Sequence, residues 1–94
     1  MRTVVWGGTF KRAYKRTLRK HSEWVSAIDG TLAVLATDPF DPRLETHKLK
    51  GRLTGAWACS AGYDLRIVFD FVGSPGQKKK DILLISVGTH DEVY

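Results

Sequence analysis

The sequence predicts an α+β fold in which an N-terminal strand and an α-helical hairpin pack on one face of a twisted, mostly antiparallel sheet of four to five strands. Two observations lead to this class. Apolar residues recur at helical spacing in the first part of the chain, and from residue 64 onward they alternate with polar residues, as in a half-buried strand. The 94 residues suffice for one hydrophobic core but not two, so we expect a single domain spanning residues 1–94.

The N-terminal part reads as a strand followed by two helices. Residues 3–6 form a β-branched and aromatic run, and the glycine pair after it ends the strand before Thr9, whose hydroxyl can cap a helix. That helix should run to about His21, with lysines and arginines on the faces that its apolar stripe leaves free. Ser22 is the expected cap of a second helix, which must end before Pro39 because proline cannot continue the helical hydrogen-bond ladder. The short connection predicts an antiparallel hairpin.

The C-terminal part reads as β-strands. Apolar and polar side chains alternate along residues 64–71, so the apolar set should face the helices and Arg66 should point to the opposite side. Residues 73–80 have turn composition with a solvated lysine tip, so the run 81–87 should pair with the alternating strand as a hairpin. A strand at residues 57–60 should precede them. Because helices cover one face of the sheet, we expect the other face to be open to solvent and to carry the function.

Charge and cysteine content narrow the class of partner. A net charge of +5 and an isoelectric point near 9.6 favour polyanions such as RNA, DNA or an acidic protein segment. The lone Cys59 cannot form an internal disulfide, and no apolar run approaches the ~20 residues of a membrane span. The first residues also lack the pattern of a secretion signal. We therefore expect a cytoplasmic protein with no membrane association.

Five residues around the strands could carry chemistry on RNA. They are His47, Asp64, Arg66, His90 and Tyr94. Cleavage by 2'-hydroxyl attack needs a base for that hydroxyl, an acid for the departing 5'-oxygen, and cations for the charge that builds on phosphate. Imidazoles, a carboxylate, a guanidinium and a phenol can supply these functions. Three further cations near the first histidine could bind the RNA backbone. They are Lys48, Lys50 and Arg52.

Each candidate also has a plainer interpretation. Asp64 and Arg66 can form a surface ion pair of little energetic weight, and each histidine can be a capping or surface residue. Tyr94 can pack the end of the chain against the sheet. Three scattered histidines and one cysteine do not have the spacing of a zinc site, and the glycine pair near the N-terminus lacks the rest of a nucleotide-binding loop. We expect neither a metal nor a small-molecule cofactor.

Several short motifs occur together in the second half of the chain. They are His-Lys-Leu-Lys-Gly at 47–51, Gly55, Asp-Leu-Arg-Ile-Val-Phe at 64–69 and Ser-Val-Gly-Thr-His-Asp-Glu-Val-Tyr at 86–94. In combination they resemble the RelE/ParE toxin superfamily, closest to its YafQ-like branch, and the resemblance covers almost the whole chain. It implies a RelE-like fold and a ribosome-dependent endoribonuclease, an mRNA interferase, that is silenced by a co-expressed antitoxin wrapped around it.

The resemblance also implies roles for individual residues. His47, Asp64 and His90 match positions implicated in YafQ-like catalysis. Tyr94 matches a terminal aromatic residue, and Arg66 resembles the strand arginine of RelE-type members, which is thought to contact the scissile phosphate.

Two departures from the YafQ-like pattern leave the division of acid and base roles open. Ser60 stands where that pattern has another histidine, and Ser86 where it has an arginine. Members resembling ParE poison DNA gyrase without such a catalytic set, so a non-enzymatic gyrase inhibitor is one alternative. A basic RNA-binding module without catalysis is another. Retention of both His47 and His90 favours the nuclease.

Overall fold

The computed structural model describes residues 1–51, 55–62, 64–73 and 75–94. Within these ranges it contains five strands, three α-helices and two 3-10 turns. In chain order they are β1 (Val4–Trp6), α1 (Gly8–Lys20), a 3-10 turn (Ser22–Trp24), α2 (Val25–Thr37), a second 3-10 turn (Pro42–Leu44), β2 (His47–Lys48), β3 (Trp57–Ser60), β4 (Leu65–Val72), β5 (Asp81–Thr89) and α3 (His90–Val93). The predicted order of a strand, two helices and further strands is confirmed.

The five strands form one sheet in the order β1-β5-β4-β3-β2. β4 and β5 pair antiparallel as the predicted hairpin, β3 and β2 continue the antiparallel side, and β1 adds parallel to β5 at the opposite edge. Gly7 donates its N–H to the Leu84 carbonyl at 3.1 Å immediately before α1. A Cβ at Gly7 would lie 2.7 Å from that carbonyl oxygen, so only glycine allows the helix to start this close to the sheet.

The core lies between the helices and one face of the sheet. Phe10, Ile28 and Leu35 from the helices are fully buried in one cluster with Ile67 and Phe69 of β4. The prediction that the apolar residues of this strand face the helices is therefore confirmed. Burying each of these side chains contributes roughly 1.5–3 kcal/mol relative to leaving it exposed, so this layer dominates the stability of the fold.

The opposite face of the sheet is less open than predicted. Val68 on β4 and its neighbour Ala58 on β3 point to that face, yet they are only 1% and 0% exposed. Exposure increases toward the start of β4, where Asp64 is exposed and Arg66 is half-buried. The prediction of a solvent-open face is wrong at its centre, because alternation shows which side a residue points to and not what covers that side.

Both helix starts also differ from the prediction. Gly7 precedes α1 without a side-chain cap, so Thr9 lies inside the helix. Ser22 opens a 3-10 turn, and α2 begins only at Val25. A capping residue marks a helix start in sequence, but a tertiary contact at the sheet edge can move the boundary by a residue or two. The predicted end of the second helix before Pro39 is confirmed.

The two long helices are linked on their exposed side, where the Tyr14 hydroxyl donates to Asp29 Oδ1 at 3.3 Å. Among the described residues, no helix combines the length and apolar character needed to cross a lipid bilayer.

Candidate active site at the end of the β4–β5 hairpin

Four of the five candidate side chains come from one end of the sheet, where β4 begins and β5 ends. Arg66 pairs with Gly88 across the hairpin. Beyond this pair, the His90 N–H donates to the Asp64 carbonyl at 3.2 Å. The hairpin register thus brings together residues that are far apart in sequence. We call Asp64, Arg66, His90 and Tyr94 the hairpin-end cluster.

The short helix α3 carries two members of this cluster, and a capping box fixes its start. Thr89 Oγ1 accepts from the Glu92 N–H at 3.3 Å, and Glu92 Oε1 accepts from the Thr89 N–H at 2.9 Å. A Cβ at Gly88 would lie 3.0 Å from Glu92 Oε1, so the absence of a side chain at Gly88 leaves room for this carboxylate. The hydrogen bond from Thr89, with weaker help from Arg16 and Lys20 of α1, lowers the pKa of Glu92. The end of α1 therefore lies beside α3.

Arg66 is half-buried, and the protein holds one end of its guanidinium. Nη1 donates to the Leu65 carbonyl at 3.1 Å and, at 3.4 Å, to the Ser60 hydroxyl and the Gly62 carbonyl. Ser60 donates its own hydroxyl proton to that Gly62 carbonyl at 3.0 Å. Asp64 makes no ion pair with Arg66 in the part of the chain that the structure describes, so the surface-ion-pair interpretation is wrong. The bonds anchor Nη1 and do not use Nε or Nη2, which are the donors suited to a phosphate.

His90 and Tyr94 are in aromatic contact at the end of the chain. Their ring centroids are 4.5 Å apart and their planes are inclined by 80°, an edge-to-face arrangement. Burial raises the pKa of the Tyr94 phenol, and the nearby charge of Arg66 offsets part of this increase. The Tyr94 hydroxyl is therefore protonated at neutral pH, where it can donate a hydrogen bond but cannot serve as a base.

His47 lies two strands away from β4. It pairs with Ala58, which pairs with Val68, so all three point to the face that carries Arg66. Strand spacing of ~4.8 Å and a rise of ~3.4 Å per residue place the His47 and Arg66 Cα atoms about 12 Å apart. The His47 Nδ1 atom is 3.0 Å from the Glu45 carbonyl oxygen, which can only accept, so Nδ1 is the donor in this contact and, in a neutral ring, Nε2 has the lone pair. In sheet order Arg66 thus stands between the two imidazoles.

Of the predicted RNA-binding cations, Lys48 and Lys50 do not lie with the hairpin-end cluster. Lys48 points to the opposite face of β2, and its Nζ atom is 5.6 Å from the centroid of the Trp57 ring. Lys50 is exposed beyond the end of β2, and Arg52 lies outside the described residues. The C-terminal half of α1 is the nearer source of positive charge, because Arg16 and Lys20 act on Glu92 of α3.

Two features of the site were not predicted. Ser60, which interrupts the resemblance, holds Arg66, and no sequence signal could show this because the contact depends on how β3 and β4 are aligned. The capping box is different. Thr89 and Glu92 have the T-x-x-E spacing that marks a helix start, so this feature could have been predicted.

The hairpin end thus brings together an imidazole, a guanidinium, a carboxylate and a phenol, and the His47 imidazole lies two strands from β4, on the face that carries Arg66. Such groups can move protons and stabilise negative charge on a phosphate. Among the described residues, no three histidine, cysteine, aspartate or glutamate side chains come close enough to hold a metal ion.

Both the sequence and the fold are similar to those of bacterial toxins. The family model described as a bacterial toxin of type II toxin-antitoxin systems, YafQ, matches residues 2–94. The curated proteins contain no match. The YoeB/ParE toxin from Agrobacterium tumefaciens has a TM-score of 0.73 at 22% identity, covering 94% of this chain and 98% of that chain. The E. coli DinJ-YafQ toxin-antitoxin complex gives a TM-score of 0.76 at 17% identity, with 99% and 97% covered. The YoeB-YefM complex from Staphylococcus aureus gives 0.70 at 18% identity, with 96% and 98% covered.

These structural similarities confirm the predicted RelE-like fold. The family match extends over nearly the whole sequence and includes every member of the hairpin-end cluster. The chain belongs to the YafQ family of bacterial toxins of type II toxin-antitoxin systems.

Proposed function

We propose that this toxin is a cytoplasmic endoribonuclease, an mRNA interferase that cuts mRNA on the ribosome. The observation that carries the proposal is the hairpin register, which sets an imidazole, a carboxylate, a phenol and an anchored guanidinium at one end of the sheet. The 2'-oxygen attacks the adjacent phosphorus, and the bond from phosphorus to the 5'-oxygen breaks. The products are a 2',3'-cyclic phosphate and a 5'-hydroxyl.

Two imidazoles divide the proton transfers in this reaction. The attacking and leaving oxygens lie roughly in line across phosphorus, so the base and the acid must stand on opposite sides of the phosphate. His47 and His90 flank Arg66 in sheet order. His47 has its Nε2 lone pair available because Nδ1 donates to the Glu45 carbonyl, so we assign it as the base that takes the 2'-hydroxyl proton. His90, as imidazolium, gives its proton to the 5'-oxygen.

The other cluster members stabilise the charge on the phosphate and orient the reacting groups. Arg66 binds the phosphate through Nε and Nη2 while Ser60 and two carbonyls hold Nη1, and a positioned donor of this kind contributes roughly 10²–10³ in rate. Tyr94, with its phenol protonated, donates a hydrogen bond or stacks on a base. The Asp64 backbone carbonyl accepts from the His90 N–H, and we assign the Asp64 carboxylate to orienting that imidazole or accepting a proton from it.

The proposed partners are mRNA, the ribosome and a cognate antitoxin, without a cofactor or a membrane. Similar toxins are seen in complexes with DinJ and with YefM. Helix α1 offers six cationic side chains and, in its first turn, no acidic residue. An acidic antitoxin segment would therefore be attracted to this helix, and a disordered segment can wrap such a surface as it folds.

Mapping the 5' ends of cellular mRNA after brief induction tests the proposal. We expect new ends with the wild-type chain and their loss with His90→Gln or Arg66→Ala. Lys11→Gln, an exposed change at the other end of α1, is the matched control and should cut normally. Inhibition of gyrase supercoiling without any mRNA cleavage would instead establish the ParE-like alternative.

A further inference from the structure

A second surface lies at the far end of the β4–β5 hairpin, on the helix side of the sheet. The rings of Phe40, Trp57 and Phe71 pack with centroids 5.5, 5.6 and 5.8 Å apart. Phe40 is 54% exposed, which is unusual for a large aromatic side chain within a ring cluster. A cavity of about 460 Å³ opens beside these rings. We call the three rings and the charged side chains that border them the aromatic groove.

The aromatic groove is strongly cationic. Its charged borders are Arg2, Lys48, Asp70, Lys78 and Lys80. Two of the cations are fixed against rings: Arg2 Cζ is 5.5 Å from the Phe71 centroid, and Lys48 Nζ is 5.6 Å from the Trp57 centroid. Arg2 also donates to the Lys80 carbonyl at 2.8 Å, which ties the N-terminal segment to the hairpin. Four positive charges against one carboxylate favour an anionic ligand.

We propose that the aromatic groove binds single-stranded RNA and provides a second contact for the message outside the cleavage site. Single-strand binding sites combine exposed aromatic rings, on which bases stack, with cations that follow the phosphates. Phe40 offers the exposed ring, and the lysines supply the phosphate contacts. Asp70 can accept a hydrogen bond from the amino group of a base. The identity of the RNA as mRNA rests on the proposed function.

An acidic peptide is the other polyanion that could meet this charge pattern. Peptides commonly bind by adding a strand to an exposed sheet edge. The edge strand that borders the groove, β2, has only two residues, His47 and Lys48, and offers little backbone for such pairing. A cavity bordered by rings and cations suits a planar base with its phosphate better than an extended backbone, so the observations favour RNA.

The groove and the hairpin-end cluster are separate sites. Arg66 and Phe71 are five positions apart on β4, about 17 Å at the strand rise, and their side chains point to opposite faces. A single nucleotide cannot reach both. Substitutions at the groove and at the hairpin-end cluster therefore remove different contacts with the RNA.

Binding of a fluorescein-labelled 2'-O-methyl uridine dodecamer tests the inference, because that RNA has no free 2'-hydroxyl and cannot be cut. We expect Phe40→Ala to weaken binding by roughly 5- to 150-fold, the effect of losing one stacked base. Lys48→Gln should weaken binding and lower the salt slope by ~0.7, as for one lost phosphate contact. Lys79→Gln is the matched control, since this exposed lysine lies between Lys78 and Lys80 in sequence but does not border the groove. Thermal unfolding followed by circular dichroism checks that each variant is folded.

The outcomes separate the groove from the cleavage site. Dodecamer binding by folded Phe40→Ala and Lys48→Gln at the level of Lys79→Gln would overturn the inference. Loss of binding to a polyglutamate dodecamer by the same variants, with RNA binding retained, would also overturn it in favour of an acidic peptide. Wild-type chain that binds RNA through the groove but leaves unmodified mRNA intact would contradict the proposed nuclease and leave the groove assignment standing.

Discussion

Replacing Thr89 by alanine tests how α3 presents two of the site's side chains. The change removes the oxygen that accepts from the Glu92 N–H at 3.3 Å and leaves the reciprocal 2.9 Å bond in place. An N-cap side chain contributes about 1 kcal/mol in most helices. Because 3.3 Å is long for an N–H···O bond, we expect the lower half of the observed range, about 0.5–1 kcal/mol. That free energy corresponds to a roughly two- to fivefold larger population of undocked α3.

Amide hydrogen exchange measures this population directly. The His90 N–H, which donates to the Asp64 carbonyl, and the Tyr94 N–H, which donates to the His90 carbonyl, should exchange two to five times faster in Thr89→Ala. Thr31→Ala is the control, because its hydroxyl donates to the Ala27 carbonyl within α2 and has no link to α3. Unchanged exchange at both C-terminal amides would show that the capping box does not hold α3. Faster exchange throughout the sheet would show that the substitution acts on the whole fold.

Three further predictions follow from single residues. The folded pKa of Glu92 lies below its ordinary value of 4.5, so its stabilising effect on α3 is complete above that pH and is lost as the pH falls through the folded pKa. An acid titration of the chemical shift of the Thr89 amide should show this loss, and Glu92→Gln should abolish it. Burial raises the pKa of the Cys59 thiol to about 12, so iodoacetamide should alkylate it at about pH 8 only after unfolding, and rapid labelling of the folded chain would contradict the burial. Gly30→Ala should stabilise the chain by about 0.5–1 kcal/mol in urea unfolding, because a Cβ there meets nothing within 4 Å; destabilisation would mean that the space is not free.

The fold was predictable because its two halves have different hydrophobic periods. The alternation around Leu65 and Ile67 fixed which side of β4 faces the helices, and Pro39 fixed the end of α2. The burial of Val68 was not predictable, since periodicity contains no information about a second covering layer. The absence of a side-chain cap at Gly7 likewise depends on a hydrogen bond to the sheet that no local pattern can show.

The candidate site was predicted in its composition more than in its arrangement. Asp64 and His90 are joined through the β4–β5 register, which follows from the hairpin, so their proximity could be expected. The sequence groups Lys48 with the RNA-binding cations because it follows His47. Successive strand residues point to opposite faces, and the structure accordingly puts Lys48 over Trp57, away from the cluster.

The central claim is that the hairpin-end cluster cuts RNA by 2'-hydroxyl attack, and the chemistry of the cut ends tests it most directly. In a purified translation reaction on a synthetic mRNA, the wild-type chain should leave 2',3'-cyclic phosphate and 5'-hydroxyl ends. His90→Gln, with a thermal unfolding midpoint like that of the wild type, should reduce the rate of cutting by about 10²–10⁴-fold, the usual effect of removing a general acid. Ends that carry a 5'-phosphate, or cutting by folded His90→Gln at the wild-type rate, would contradict the claim.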